Sequence, residues 1–148
     1  MYKRIVVAVD SSRTSELALE TAVRLAVDTG AWLRVVHAID LATLNVGVEF
    51  PIEADFSASM IEGGKVLLAR CGKVAAAAGV EAETQLVTID SVSQRIAEAI
   101  VEDADGWSAD LVVVGTHGRH GISRLFLGSV AEGVARVAHQ PVLLVRGK

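Results

Sequence analysis

One cysteine, two prolines and an aromatic share of 4% in 148 residues remove several classes of protein at the outset. A lone thiol, Cys71, closes no intrachain disulfide, which excludes the stapled secreted scaffolds. Apolar runs such as Ile5-Val6-Val7-Ala8-Val9 fall far short of the roughly 20 residues that span a bilayer, so no membrane insertion is expected. The leading Met1-Tyr2-Lys3-Arg4 passes directly into a strand-like run and lacks the length of a signal peptide, which makes a cytoplasmic location the expectation. Positive charge is not in surplus: 14 Lys and Arg stand against 18 Asp and Glu, a net charge of −4. That balance argues against nucleic acid or an acidic membrane as the main partner. What is abundant is aliphatic: hydrophobic residues make up 51% and charged residues 22% of the chain. A core of Val, Ala, Leu and Ile in a single domain over residues 1–148 follows, and disorder is excluded.

The apolar pattern alternates between two periods. The first run is β-branched and continuous up to Asp10, the signature of a parallel strand buried on both faces. Ser11 and Ser12 are cap candidates for a helix carrying Leu17, Ala18, Ala22, Leu25 and Ala26, and Gly30 stops it. A second strand is expected over 32–39, ending at Asp40, then a loop over 41–54 that contains Gly47 and Pro51. Met60, Leu67, Cys71, Val74 and Ala78 mark one face of a second helix closed by Gly79, with a short strand over 84–89 beyond it. Ser91-Val92-Ser93-Gln94 fits a capping box, with Val92, Ile96 and Ile100 turned inward. A strand over 111–114 ends at Gly115, a helix covers 129–138, and Pro141 opens a strand over 142–145. Strands alternating with helices in this way give an α/β three-layer sandwich, whose ligands sit beyond the carboxyl ends of the strands.

The residues just past those ends are therefore the ones to inspect. Gly115-Thr116-His117-Gly118-Arg119-His120-Gly121 follows the fourth strand, and Gly128-Ser129 opens the next helix. Glycines let backbone amides point inward, and a helix N-terminus adds unpaired N–H groups with a partial positive charge. His117, Arg119, His120 and Arg124 gather basic groups there in an otherwise acidic chain, as a phosphate-binding segment requires. The competing interpretation is a connection whose glycines serve turns. The spacing is neither a P-loop nor a dinucleotide fingerprint. At the first strand end, a carboxylate beside a phosphate chain is tolerable only with a sugar hydroxyl or a divalent ion between them. Asp10 either takes that role or caps the first helix.

The pattern G-x2-G-x9-G-[ST], met by Gly115, Gly118, Gly128 and Ser129, resembles the nucleotide-binding branch of the universal stress protein family. Ala8-Val9-Asp10, His37-Ala38-Ile39-Asp40 and Gln140-Pro141-Val142-Leu143-Leu144-Val145 extend the resemblance over the whole chain. It implies a five-stranded parallel sheet in the order 3-2-1-4-5, similar to the adenine nucleotide alpha hydrolases, together with homodimerisation through the C-terminal strand and ATP binding, with Mg²⁺ or Mn²⁺ as the accompanying ion. Carried over by position, Asp10 contacts the ribose or a metal ion, and Ala8, Val9 and Ala38 border the adenine and ribose. Val114 and Gly115 close the pocket. The phosphates fall to Gly118, Gly128, Ser129 and Val130, with His117 and Arg119 nearby. Many members have Asn where this chain has Val130, a change that a backbone contact survives and a side-chain contact does not.

No catalytic set is assigned, because nothing in the sequence joins a base and a nucleophile in bonding geometry. Cys71 is expected to be an inert core residue, His37 a satisfied core or strand-end histidine rather than a ligand, and Trp32 and Trp107 packing residues; no protein metal site is assigned. The leading expectation is an ATP-binding, homodimeric regulatory module with an unidentified protein partner, its nucleotide ordering the 41–54 loop and the glycine segment. A slow ATPase or nucleotide-dependent transferase, and a nucleotide-free dimerisation scaffold, are the alternatives.

Overall fold

The computed structural model describes residues 1–42, 54–117 and 126–147, with the backbone alone at residues 54 and 55. The elements run β1 (Arg4–Ala8), α1 (Arg13–Thr29), β2 (Trp32–Asp40), α2 (Ala54–Ala77), β3 (Ala82–Ile89), α3 (Ile96–Gly106), β4 (Leu111–Gly115), α4 (Ser129–Val137) and β5 (Val142–Val145). All strand pairs are parallel and the sheet order is β3-β2-β1-β4-β5. The expected three-layer architecture is therefore the observed one.

Alternation along the strands divides the core between the two faces of the sheet. Ile5, Val7, Leu33, Val35 and Val113 pack with Ala18, Leu19, Ala22 and Val23 of α1 and with Leu67, Leu68, Cys71 and Ala75 of α2. Val6, Val36, Val112 and Val114 face the other way, against Ala97, Ile100, Val101 and Ala104 of α3 and Ala131 and Val134 of α4. The β1, β2 and β4 residues at the centre are almost wholly buried. Burial on both faces is why their sequences are continuous apolar runs rather than alternating ones.

Local chemistry sets the ends of α1. Ser12 is the N-cap and accepts from the Ser15 amide, while Gly30 takes the left-handed conformation at φ 68° and its N–H returns to the Ala26 carbonyl. The expectations for α2 need a shift of one position. Val74 is 42% exposed, and the inward stripe runs through Gly64, Leu67, Leu68, Cys71 and Ala75. Likewise β3 begins at Ala82, earlier than expected, because it pairs with β2 along its whole length.

Two further expectations are corrected. Ser91 and Gln94 do not form a capping box: α3 starts at Ile96, the Arg95 amide donates to the Glu98 carboxylate, and Gln94 reaches Glu102. Val92 is 66% exposed, while Ile96 and Ile100 do pack inward. Of the two tryptophans, only Trp107 is a packing residue. It is buried with the Arg4 guanidinium carbon 4.1 Å and that of Arg34 5.3 Å from its ring centre, whereas Trp32 is 63% exposed. The 41–54 loop lies outside the described residues except for its ends.

Candidate functional site: a crevice over the ends of β1 and β4

The helices α1 and α2 lie on one face of the sheet and α3 and α4 on the other. The winding direction therefore reverses between β1 and β4, neighbours at the centre of the sheet. Chains leaving the two strand ends diverge there and leave a crevice. It is lined by Ala8, Val9 and Asp10 after β1, Ser12 and Ser15 of α1, His37 and Ala38 of β2, Ile96 and Ile100 of α3, Val114, Gly115 and His117 after β4, and Val130 of α4. Among the described residues its cavity volume is about 100 Å³, smaller than the ~300–1,000 Å³ typical of small-molecule sites.

Short hydrogen bonds shape the β1 end. The Asp10 amide donates to Ser15 Oγ at 2.8 Å, the Ser15 hydroxyl donates to the Asp10 carbonyl at 3.1 Å, and the Ser12 amide donates to Asp10 Oδ1 at 2.7 Å. Asp10 is thus not the helix cap. Its carboxylate braces the chain two residues on, as Asp does in tight turns, and Ser12 caps. Among the described residues nothing bonds the second carboxylate oxygen, Oδ2, on the rim of the crevice.

The β4 end is tied to the same helix start. Thr14 Oγ1 donates to the His117 carbonyl, and Ser12 Oγ reaches that carbonyl at 3.4 Å. Gly115 is the contact point: a Cβ there would lie 2.9 Å from the Thr14 backbone carbonyl. Thr116 is buried, its amide donating to the Val145 carbonyl at 2.9 Å and its carbonyl accepting from Gly128 N–H at 2.6 Å. That last bond brings both ends of the glycine segment together and sets Gly128, which has no side chain to satisfy the helix amides, as N-cap of α4. The positive end of α4 therefore opens beside the crevice, which Val130 of its first turn lines.

Of the residues singled out from sequence, Ala8, Val9, Asp10, Ala38, Val114, Gly115, His117 and Val130 come together around this crevice. Gly128 and Ser129 stand at the start of α4 rather than in the lining, and Gly118 and Arg119 lie outside the described residues. Sequence reasoning missed Ser12, Ser15 and His37 as lining residues, along with Ile96 and Ile100, assigned only an inward-facing role. Strand-end position offered a signal for His37; for Ser15 there was none, since its value comes from a turn whose shape the sequence does not display. Among the described residues no three His, Cys, Asp or Glu side chains converge as metal ligands, and no helix is long and apolar enough to cross a membrane.

Residues 1–146 match the universal stress protein family. The chain belongs to that family. A universal stress protein of Thermus aquaticus is 39% identical over 150 residues, covering 99% of this chain and all of its own. Among solved structures, the hypothetical protein MJ0577 superposes with a TM-score of 0.85 at 28% identity, covering 100% of this chain and 98% of its own. Two other universal stress proteins carry a nucleotide. One, from Archaeoglobus fulgidus, is in complex with dAMP (TM-score 0.70, 28% identity, 97% and 98% coverage). Another is in complex with cAMP (TM-score 0.66, 30% identity, 97% and 96% coverage).

Proposed function

We propose that this universal stress protein binds ATP, or a closely related adenine nucleotide, in the crevice over β1 and β4, and acts as a nucleotide-dependent regulatory module. The observation that carries this is the pairing, across one crevice, of a carboxylate whose second oxygen has no partner among the described residues and a helix N-terminus whose N-cap, Gly128, has no side chain to take up its amides. Those groups suit adjoining parts of a nucleotide, its ribose and its phosphates. An acceptor-only carboxylate takes a ribose hydroxyl or a divalent ion, and the start of α4 attracts phosphate. In the same crevice Val9, Ala38, Ile96, Ile100 and Val130 offer apolar surface to the base. The relatives in complex with dAMP and cAMP support an adenine nucleotide in this fold.

In this reading Ala8, Val9 and Ala38 border adenine and ribose, and Val114 and Gly115 close the pocket. Gly118, Gly128, Ser129 and Val130, with His117 and Arg119, meet the phosphates. Val130 contributes through its backbone. A Mg²⁺ or Mn²⁺ ion travelling with the triphosphate has Asp10 as its available carboxylate. The module works in the cytoplasm as a homodimer, with the nucleotide altering the surface offered to an unidentified protein partner.

Denaturing the purified protein and identifying released nucleotide by chromatography tests the reading. ATP in near-stoichiometric amount is expected, and Gly128→Asp, which sets a negative side chain against the phosphates, abolishes retention. Protein that neither retains nor rebinds any adenine nucleotide contradicts it. Steady turnover of ATP well above background would instead favour the ATPase alternative.

A further inference from the structure

A histidine holds the end of β1 where the sheet lets go of it. The Ala8↔Val36 pair is the last of the β1–β2 register, and the Val9 amide still donates to the Val36 carbonyl at 2.8 Å. The Val9 carbonyl is then taken by a side chain: His37 Nδ1 lies 2.8 Å from it. A carbonyl only accepts, so Nδ1 carries the proton and the neutral ring has its lone pair on Nε2. The ring's other edge is confined by α2, which comes close enough at Gly64 that a Cβ there would stand 3.1 Å from His37 Cδ2. Val9 O and Asp10 N–H belong to one rigid peptide plane, and the Asp10 N–H is the group that donates to Ser15 Oγ.

We propose that His37 is a positioning residue for the nucleotide site: by fixing the Val9–Asp10 peptide it aims the Asp10 carboxylate at the ribose hydroxyls, and so sets selectivity for ribose over sugars without those hydroxyls. The inference rests on the nucleotide reading above. It adds a residue whose contribution passes through Asp10 rather than through contact with ligand. Two features of the crevice make this more than a strand-end hydrogen bond. The imidazole and Asp10 line the same crevice, and the peptide that the imidazole grips is braced on its other side by Ser15, so the Asp10 backbone is held from both sides.

Asparagine and glutamine separate the proposal from general packing. Asn Nδ2 reproduces the Nδ1–H donor at the same distance from the backbone, whereas the Gln donor sits one atom further out. Calorimetric titration of the full chain with ATP and with 2′,3′-dideoxy-ATP is the experiment. His37→Ala is expected to weaken ATP about tenfold, the scale of a lost hydrogen bond to a charged group, and to leave dideoxy-ATP nearly unchanged. His37→Asn restores much of the ATP affinity and His37→Gln does not. Equal losses for both nucleotides, or no loss for ATP, overturn the proposal.

A second measurement needs no ligand. In the free protein, ¹⁵N shifts should report the Nδ1–H tautomer at His37, and amide exchange at Ser12, whose N–H bonds the Asp10 carboxylate, should quicken in His37→Ala and recover in His37→Asn. An Nε2–H tautomer, or unchanged Ser12 exchange, overturns the positioning role. Failure of the unsubstituted chain to bind ATP while these signals hold sinks the nucleotide reading and the ribose role, and leaves the peptide clamp standing.

Discussion

Gly115 shows how one missing methyl group fixes the site. The Cβ of an alanine there would meet the Thr14 backbone carbon and oxygen at 2.9 Å, and main-chain atoms at the start of a capped helix have little room to yield. Gly115→Ala is expected to cost about 2–3 kcal/mol as overpacking against backbone, measured by urea unfolding, and to loosen the crevice by pushing α1 from β4. At Gly64 the nearest atoms are the terminal Leu86 Cδ1 and Ile39 Cδ1. Side-chain ends shift more easily, so Gly64→Ala should cost less than Gly115→Ala; the reverse order would contradict this account. Cys71 gives a pH prediction. Burial raises its thiol above the ordinary 9.0, outweighing the opposing charge of Arg70. Above that ordinary value the unfolded chain ionises while the folded chain stays protonated, so stability present at lower pH is lost as pH rises toward the folded pKa. Urea midpoints of the unsubstituted chain should fall more steeply above pH ~9 than those of Cys71→Ala; parallel curves would count against a buried thiol.

At the scale of the element, the sequence was legible wherever one chemical signal dominated. β1 and β4 announce themselves as unbroken β-branched runs ending at a polar residue or glycine, and α1 is bracketed by a serine and a left-handed glycine. Legibility failed where neighbours decide. The alanine-rich α2 offers several nearly equivalent stripes, and packing into the core rather than periodicity selects Ala75 over Val74 for the interior. Ser91 and Gln94 had the right spacing for a cap, but α3 starts later and Ser91 Oγ is occupied by Ser93 at 2.7 Å. Asp10 was legible as a strand-end carboxylate and illegible in detail, because its bonds run through Ser12 and Ser15. The end of α3 is stabilised by Trp107, lodged between Arg4 and Arg34, with its carbonyl accepting from Arg4 Nε at 2.8 Å. Trp107→Ala should lower unfolding free energy by about 3–5 kcal/mol. Loss of less than about 1 kcal/mol, the scale of an exposed ring, would show the contact to be incidental.

For the whole molecule, parallel topology places every strand's carboxyl end on one side and the winding reversal at β1 and β4, so the crevice follows from the fold and its chemistry from a few residues. The same topology leaves β5 as an edge, with Val142, Leu143 and Val145 half-buried and Leu144 exposed. An apolar edge strand invites pairing, and a symmetric dimer through β5 satisfies it. Sedimentation equilibrium should therefore give a dimer that Leu144→Lys converts to monomer; a monomeric unsubstituted chain at micromolar concentration would contradict the proposal. The central claim, an adenine nucleotide held over β1 and β4, is tested most directly by amide NMR of the full chain during titration with ATP and Mg²⁺. Shifts should concentrate at Val9, Asp10, Ala38, Gly115 and Val130, and leave Gly30 and Gly79, beyond the far ends of α1 and α2, unmoved. Unchanged spectra at millimolar ATP, or shifts gathered around Gly30 and Gly79 instead, would contradict it.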